Sequence, residues 1–109
     1  MKIWLDDLMD DRDSNRAVPE GFFGAHSVNE AIALIEAAEK KGETIELIDL
    51  DHDLGDYAKD GGDAIKLLYY LQERETFYPV RFHTSNPVGR EGMRQVINHH
   101  WPEELRIYF

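Results

Sequence analysis

The chain has no cysteine, which excludes a disulfide framework, thiolate metal ligands and thiol catalysis. It has no apolar run near the roughly 20 residues that a membrane-spanning helix needs. Nor does it have the apolar leader of a secretory signal, because carboxylates appear by residue 6. Together these features fit a reducing, cytoplasmic setting. Cations are scarce too: 12 lysines and arginines face 22 aspartates and glutamates, for a formal charge of −10. A field of that sign repels nucleic-acid backbone and anionic lipid, so no duplex-binding surface and no membrane contact are expected. A small phosphate-containing ligand remains compatible where a metal ion or an arginine reverses the sign locally. Much of the acidity also serves solubility. No repeat or low-complexity linker divides the 109 residues, a common size for one domain, so a single domain over 1–109 is expected.

What is present alternates regularly. Residues 2–5 (KIWL) form a short apolar run that stops at Asp6 and Asp7. Residues 8–20 show neither helical nor strand period and contain Pro19, so they read as an irregular loop. A short strand over 21–25 precedes Ser27-Val-Asn-Glu30, a capping box that opens a helix with Ala31, Ile32, Leu34, Ile35 and Ala38 on its apolar stripe. Lys40, Lys41 and Gly42 suit its end. Residues 44–50 read as a strand, 55–62 as a polar glycine-rich loop, and 63–75 as a helix with Ile65, Leu68, Tyr69 and Gln72 in register. A strand over 79–83, a helix from Pro87 to about residue 100 and a last strand over 105–109 complete the order. Strands separated by helices predict an α/β fold: a three-layer, doubly wound, parallel five-stranded sheet.

In such sheets ligands bind beyond the carboxyl ends of the strands. Asp6 and Asp7 end one expected strand, the run LDHDLG (residues 50–55) ends another, and His83 to Asn86 end a third. Carboxylates crowded there repel one another unless something positive separates them. Asp6, Asp7 and Asp51 offer hard oxygen donors without the nitrogen or sulfur set of a zinc cage, so magnesium or manganese is the expected cofactor. The alternative is an acidic edge whose aspartates merely cap loops and the following helix. Asp49, two residues before Asp51, would share its face as a buried partner. His52 and His83 titrate near neutrality and can exchange protons in a phosphoester displacement, with Asp53 orienting one of them. Ser85, Asn86 and Arg90 are the expected phosphate contacts at the N-terminus of the helix that Pro87 begins, Asn86 alternatively serving only as its cap. His26, His99 and His100 are assigned no chemistry. Trp4, Phe22, Phe23, Phe82 and Trp101 are read as core, with Tyr57 as the one candidate stacking aromatic.

The order of elements, the acidic pair in WLDD, the aspartate ending the third strand and Thr84-Ser85 ending the fourth resemble response-regulator receiver domains. Such a domain binds magnesium through the acidic pair and accepts a phosphoryl group on the strand-three aspartate, here Asp51. Two features depart from that pattern. The first helix looks degraded into LMDDRDSNRAVPE, and RIYF stands where a lysine after the fifth strand is expected. A closer resemblance is to a receiver variant, the cyclic-phosphate processing receiver-like domains, carried by WLDD (4–7), LDHDLG (50–55) and HTSNPVGREGM (83–93). It implies a receiver or flavodoxin-like fold. It also implies a metal-dependent phosphoesterase acting on 2′,3′-cyclic phosphate ends of RNA or on cyclic nucleotides. The alternative function is a receiver-like signalling or partner-binding module, phosphorylated at Asp51 or degenerate. A third reading has the acidity mimic nucleic acid and block another protein.

Overall fold

Alternating side-chain direction along the strands determines which side of the sheet the helices cover. Ile3 and Leu5, Ile48 and Leu50, and Val80 and Phe82 all point to one face and join a single apolar core. Trp4, Asp49 and Arg81 are the intervening residues, and the strand register sets them side by side. The computed structural model describes residues 1–7 and 17–106. Among them, strands β1 (Lys2–Leu5), β2 (Phe22–Ala25), β3 (Leu47–Leu50) and β4 (Val80–Phe82) form a parallel sheet in the order β2-β1-β3-β4.

Helix α1 (Val28–Lys40) carries the chain from β2 to β3, and α2 (Ile65–Glu73) carries it from β3 to β4. Both crossovers step the same way across the sheet, so right-handed connections place both helices on one face. Helix α3 (Pro87–His100) packs beside α2 on that face. The expected α/β order and parallel sheet are therefore present. The described helices make one layer, and the other face is the one that carries Trp4, Asp49 and Arg81. The expected degraded helix lies largely in residues 8–16, outside the described residues. So does most of the expected fifth strand, in 107–109. Leu105 itself closes a 3-10 turn, Glu103–Leu105, rather than opening a strand. Pro102 lies just before that turn with φ −56°, suited to starting a turn.

Local sequence accounts for the helix limits. Ser27 caps α1, its Oγ accepting the Glu30 N–H at 3.1 Å, and Gly42 follows the helix end at φ +71°. Asn86 caps α3, its Oδ1 accepting the Gly89 N–H at 2.9 Å, with Pro87 in the first turn. Helix α2 is shorter than the expected 63–75 at both ends. The Asp63 carboxylate turns back to accept the Leu54 N–H at 3.1 Å. The buried residues of α2 are Leu67, Leu68 and Leu71; of the expected Ile65, Leu68, Tyr69 and Gln72, Leu68 is buried and Ile65 packs partly against the core, whereas Tyr69 is exposed. In LLYYL apolar residues surround the helix, so periodicity left the inward face ambiguous. No helix among the described residues is long and apolar enough to cross a membrane.

Leu71→Ala should therefore cost about 2–5 kcal/mol in urea unfolding, as deletion of a buried leucine does. Tyr69→Ala, at a residue 37% exposed, should cost less than about 1 kcal/mol.

Candidate metal centre and flanking histidines

The sheet ladder runs one residue beyond each strand and fixes the side chains that matter. The Asp6 N–H donates to the Ala25 carbonyl at 3.0 Å, the Asp51 N–H to Leu5 at 2.9 Å and the His83 N–H to Leu50 at 2.9 Å. Asp6, Asp51 and His83 thus stand in a row at the carboxyl edge, where the crossovers leaving β1 and β3 diverge. Asp6 is 0% exposed and Asp51 5% exposed. One carboxylate oxygen from each of Asp6, Asp7 and Asp51 lies within 4.8 Å of the others. Three oxygens at that spacing, two of them on buried residues, fit a hard divalent cation that keeps several water ligands. The expected metal set is therefore brought together.

Gly55 approaches the same centre. A Cβ built on it would stand 2.7 Å from Asp7 Oδ2, and its φ is +56°, a left-handed conformation that glycine adopts readily. The loop beyond is tied to α1. Asp60 Oδ2 accepts the Ser27 hydroxyl at 2.7 Å and Oδ1 accepts Asn29 Nδ2 at 2.9 Å. Those two hydrogen bonds, Ser27 first, hold the Asp60 carboxyl below its ordinary range. Tyr57, on the 3-10 turn Gly55–Lys59, stacks on His26 with centroids 4.9 Å apart.

His83 lies between two buried acids. Its Nδ1 is 2.8 Å from Asp49 Oδ1 and its Nε2 is 2.9 Å from Asp6 Oδ2. A carboxylate only accepts, so both contacts are satisfied together by the doubly protonated imidazolium. Its pKa is raised: burial, the largest single effect, pushes it down, but the hydrogen bonds and charges of Asp49 and Asp6 together outweigh burial. Trp4 stacks flat on the ring, 3.8 Å between centroids at 4°, a cation–π arrangement. Arg81 Nε donates to Asp49 Oδ2 at 2.7 Å, so both Asp49 oxygens face cations. Both nitrogens of His83 are committed inside the fold.

His52 is placed differently. Its Nδ1 donates to Asp53 Oδ1 at 3.0 Å, and its side chain is 18% exposed. Asn86 Nδ2 donates to the same carboxylate, at 3.1 Å to Oδ2. The expected orienting role of Asp53 thus falls on His52, not on His83. Of the expected phosphate contacts, Asn86 is engaged in the cap and with Asp53, and Arg90 Nη2 donates to the Thr84 carbonyl at 3.0 Å. Ser85 is exposed, whereas its neighbour Thr84 is buried and accepts the Asn86 N–H through Oγ1 at 3.1 Å.

Of the aromatics expected in the core, Trp4, Phe82 and Trp101 are buried, whereas Phe23 is exposed. Trp4 is also the face against which His83 lies, a contact not expected, and Arg81 was given no role. The signal was the period of two: Trp4, Asp49 and Arg81 alternate with the apolar set on three neighbouring strands. A separate concavity lined by Pro87, Val88, Glu91, Gly92 and Gln95 lies along α3 and shares no residue with the acidic centre.

Compared with known proteins, residues 1–99 match the family model of the cyclic-phosphate processing receiver domain. The chain belongs to this family. No curated protein and no solved structure gives a significant match. The cyclic-phosphate processing receiver domain described here thus joins a receiver-like fold to an acidic cluster able to hold a metal, with the two edge histidines in different environments.

In metal-free protein the raised His83 pKa sets a pH dependence. Its contribution to stability is fully present below the unfolded value, about 6.5, and is lost as pH rises through the folded value. Urea unfolding across that range should show this decline in the native chain and not in His83→Gln. Nitrogen-15 spectra at neutral pH should show both His83 ring nitrogens protonated.

Proposed function

We propose that the chain is a metal-assisted phosphoesterase that opens cyclic phosphates, on a small nucleotide or an RNA end. The observation that carries this reading is the convergence of three carboxylates with an aspartate-oriented histidine at one sheet edge. Asp6, Asp7 and Asp51 would hold magnesium or manganese. When bound, that ion supplies positive charge to phosphoryl oxygens and acidifies coordinated water.

The chain's own residues do the rest. Asp53 holds His52 by Nδ1, which leaves Nε2 to take a proton from the attacking water. The water oxygen bonds to phosphorus as the bond to one ribose oxygen breaks, and that oxygen regains a proton from solvent. His83 keeps Asp6 and Asp49 charged and ordered and takes no part in proton exchange with substrate. Ser85 and Arg90 lie beside the start of α3, where phosphate oxygens would be received. The charge of −10 favours a short ligand gripped at this one point over an extended polyanion.

The direct test is hydrolysis of nucleoside 2′,3′-cyclic phosphates with and without magnesium or manganese. Turnover should require the metal, and His52→Ala should lower kcat by about 100-fold or more, the usual size of a general acid–base contribution. The same ions should raise the melting temperature of the native chain and not of Asp51→Asn, since a ligand bound only by the folded form stabilises it. Absence of turnover on every cyclic phosphate, together with labelling of Asp51 by acetyl phosphate, would establish the receiver-like signalling reading instead.

A further inference from the structure

Gly89 lies in the first turn of α3 and is buried. Its backbone does not require glycine, since it is helical and not among the positive-φ residues. On helix propensity glycine is a poor choice, worse than every residue but proline. A Cβ built there would stand 2.5 Å from His52 Cγ, 2.6 Å from Nδ1 and 2.8 Å from Cδ2. The nearest of them, Cγ, is one bond from the His52 Cβ, and the other two are bonded to Cγ, so rotating the ring about Cβ–Cγ does not relieve the clash. The ring would have to leave through a change of χ1. Gly92, one turn on in the same helix, makes no such demand: a Cβ there would meet Ile65 Cδ1 at 3.8 Å, an ordinary contact.

We propose that Gly89 is a positioning residue for His52: its missing side chain is the wall against which the imidazole is set for proton transfer. The proposal rests on the reading of His52 as proton acceptor. The surrounding contacts form a closed circuit. The Gly89 N–H donates to Asn86 Oδ1 at 2.9 Å, Asn86 Nδ2 donates to Asp53 Oδ2 at 3.1 Å, and Asp53 Oδ1 accepts His52 Nδ1 at 3.0 Å. The ring then returns to Gly89 by direct contact. Asn86 and Asp53 fix which nitrogen carries the inner proton, and Gly89 fixes where the ring lies. The glycine of the PVGR segment thus serves the histidine of LDHDLG, 37 positions away by subtraction of 52 from 89.

The test compares Gly89→Ala with Gly92→Ala in the full chain, each alone and in a His52→Ala background. Gly89→Ala should lower kcat by about 100-fold or more with KM little changed, approaching loss of the acid–base group. It should remain folded, because the helix propensity alanine gains offsets part of the cost of displacing the ring. Gly92→Ala should keep native kcat. In the His52→Ala background Gly89→Ala should cause no further loss, because its only target is gone. Nuclear Overhauser contacts between the His52 ring and residue 89 should be present in the native chain and absent in Gly89→Ala. Native kcat in Gly89→Ala, or a loss that adds to that of His52→Ala, would overturn the proposal and leave the hydrolase reading standing. If the native chain turns over no cyclic phosphate, the hydrolase reading falls. The ring contacts then decide the positioning claim, and a His52 ring still seated on residue 89 and on Asp53 in the alanine variant refutes it.

Discussion

His83 is held between Asp49 and Asp6, two acids almost cut off from water, and the arrangement of the rest of the edge depends on this contact. A carboxylate loses most of its solvation on burial, and a charged one is tolerated only with a partner close by. The imidazolium provides that partner for both acids at once, with Arg81 closing the outer side of Asp49. Trp4 completes the enclosure from the sheet face. Asp6 is thereby fixed through Oδ2, and a carboxylate oxygen of the same residue belongs to the acidic centre it shares with Asp7 and Asp51.

The two histidines that flank the centre have different surroundings. His83 has a carboxylate on each nitrogen. His52 has a carboxylate on Nδ1, is partly open to solvent and rests on a glycine. In the proposed function the first supplies fixed charge and the second transfers a proton, a division that surroundings can impose on identical side chains. The edge is also stiff. Ladder bonds fix Asp6, Asp51 and His83, and Asp60 ties the glycine-rich loop to α1.

Much of this was legible in the sequence because it depended on local chemistry. Ser27-Val-Asn-Glu30 and Asn86-Pro87 mark helix starts by capping physics, and apolar runs ending in WLDD and LDHDLG mark strands that end in acids. Placing Asp6, Asp7 and Asp51 together needed only the rule that parallel strands share an edge. The inward face of α2 was not legible, since LLYYL is apolar on every side. The role of His83 was not legible either, because it depends on register. Only when Trp4, Asp49 and Arg81 are aligned does the histidine two residues beyond Arg81 fall between two carboxylates. Gly89 was given no role in the sequence, and only coordinates reveal the ring packed against it. The expected strand from Leu105 failed at its start, where Pro102 leads into a 3-10 turn.

The central claim is that the acids of WLDD and LDHDLG form one cation site. Manganese added in small amounts to the folded, isotope-labelled chain tests it most directly, because paramagnetic broadening marks the residues nearest the ion. The account predicts early, selective loss of the amide signals of Asp6, Asp7, Asp51 and His52, with Glu43 and Glu46 at the far end of β3 unaffected until much more metal is present. Diffuse broadening that follows surface acidity, with Asp6 and Asp51 no more affected than Glu43, would contradict it.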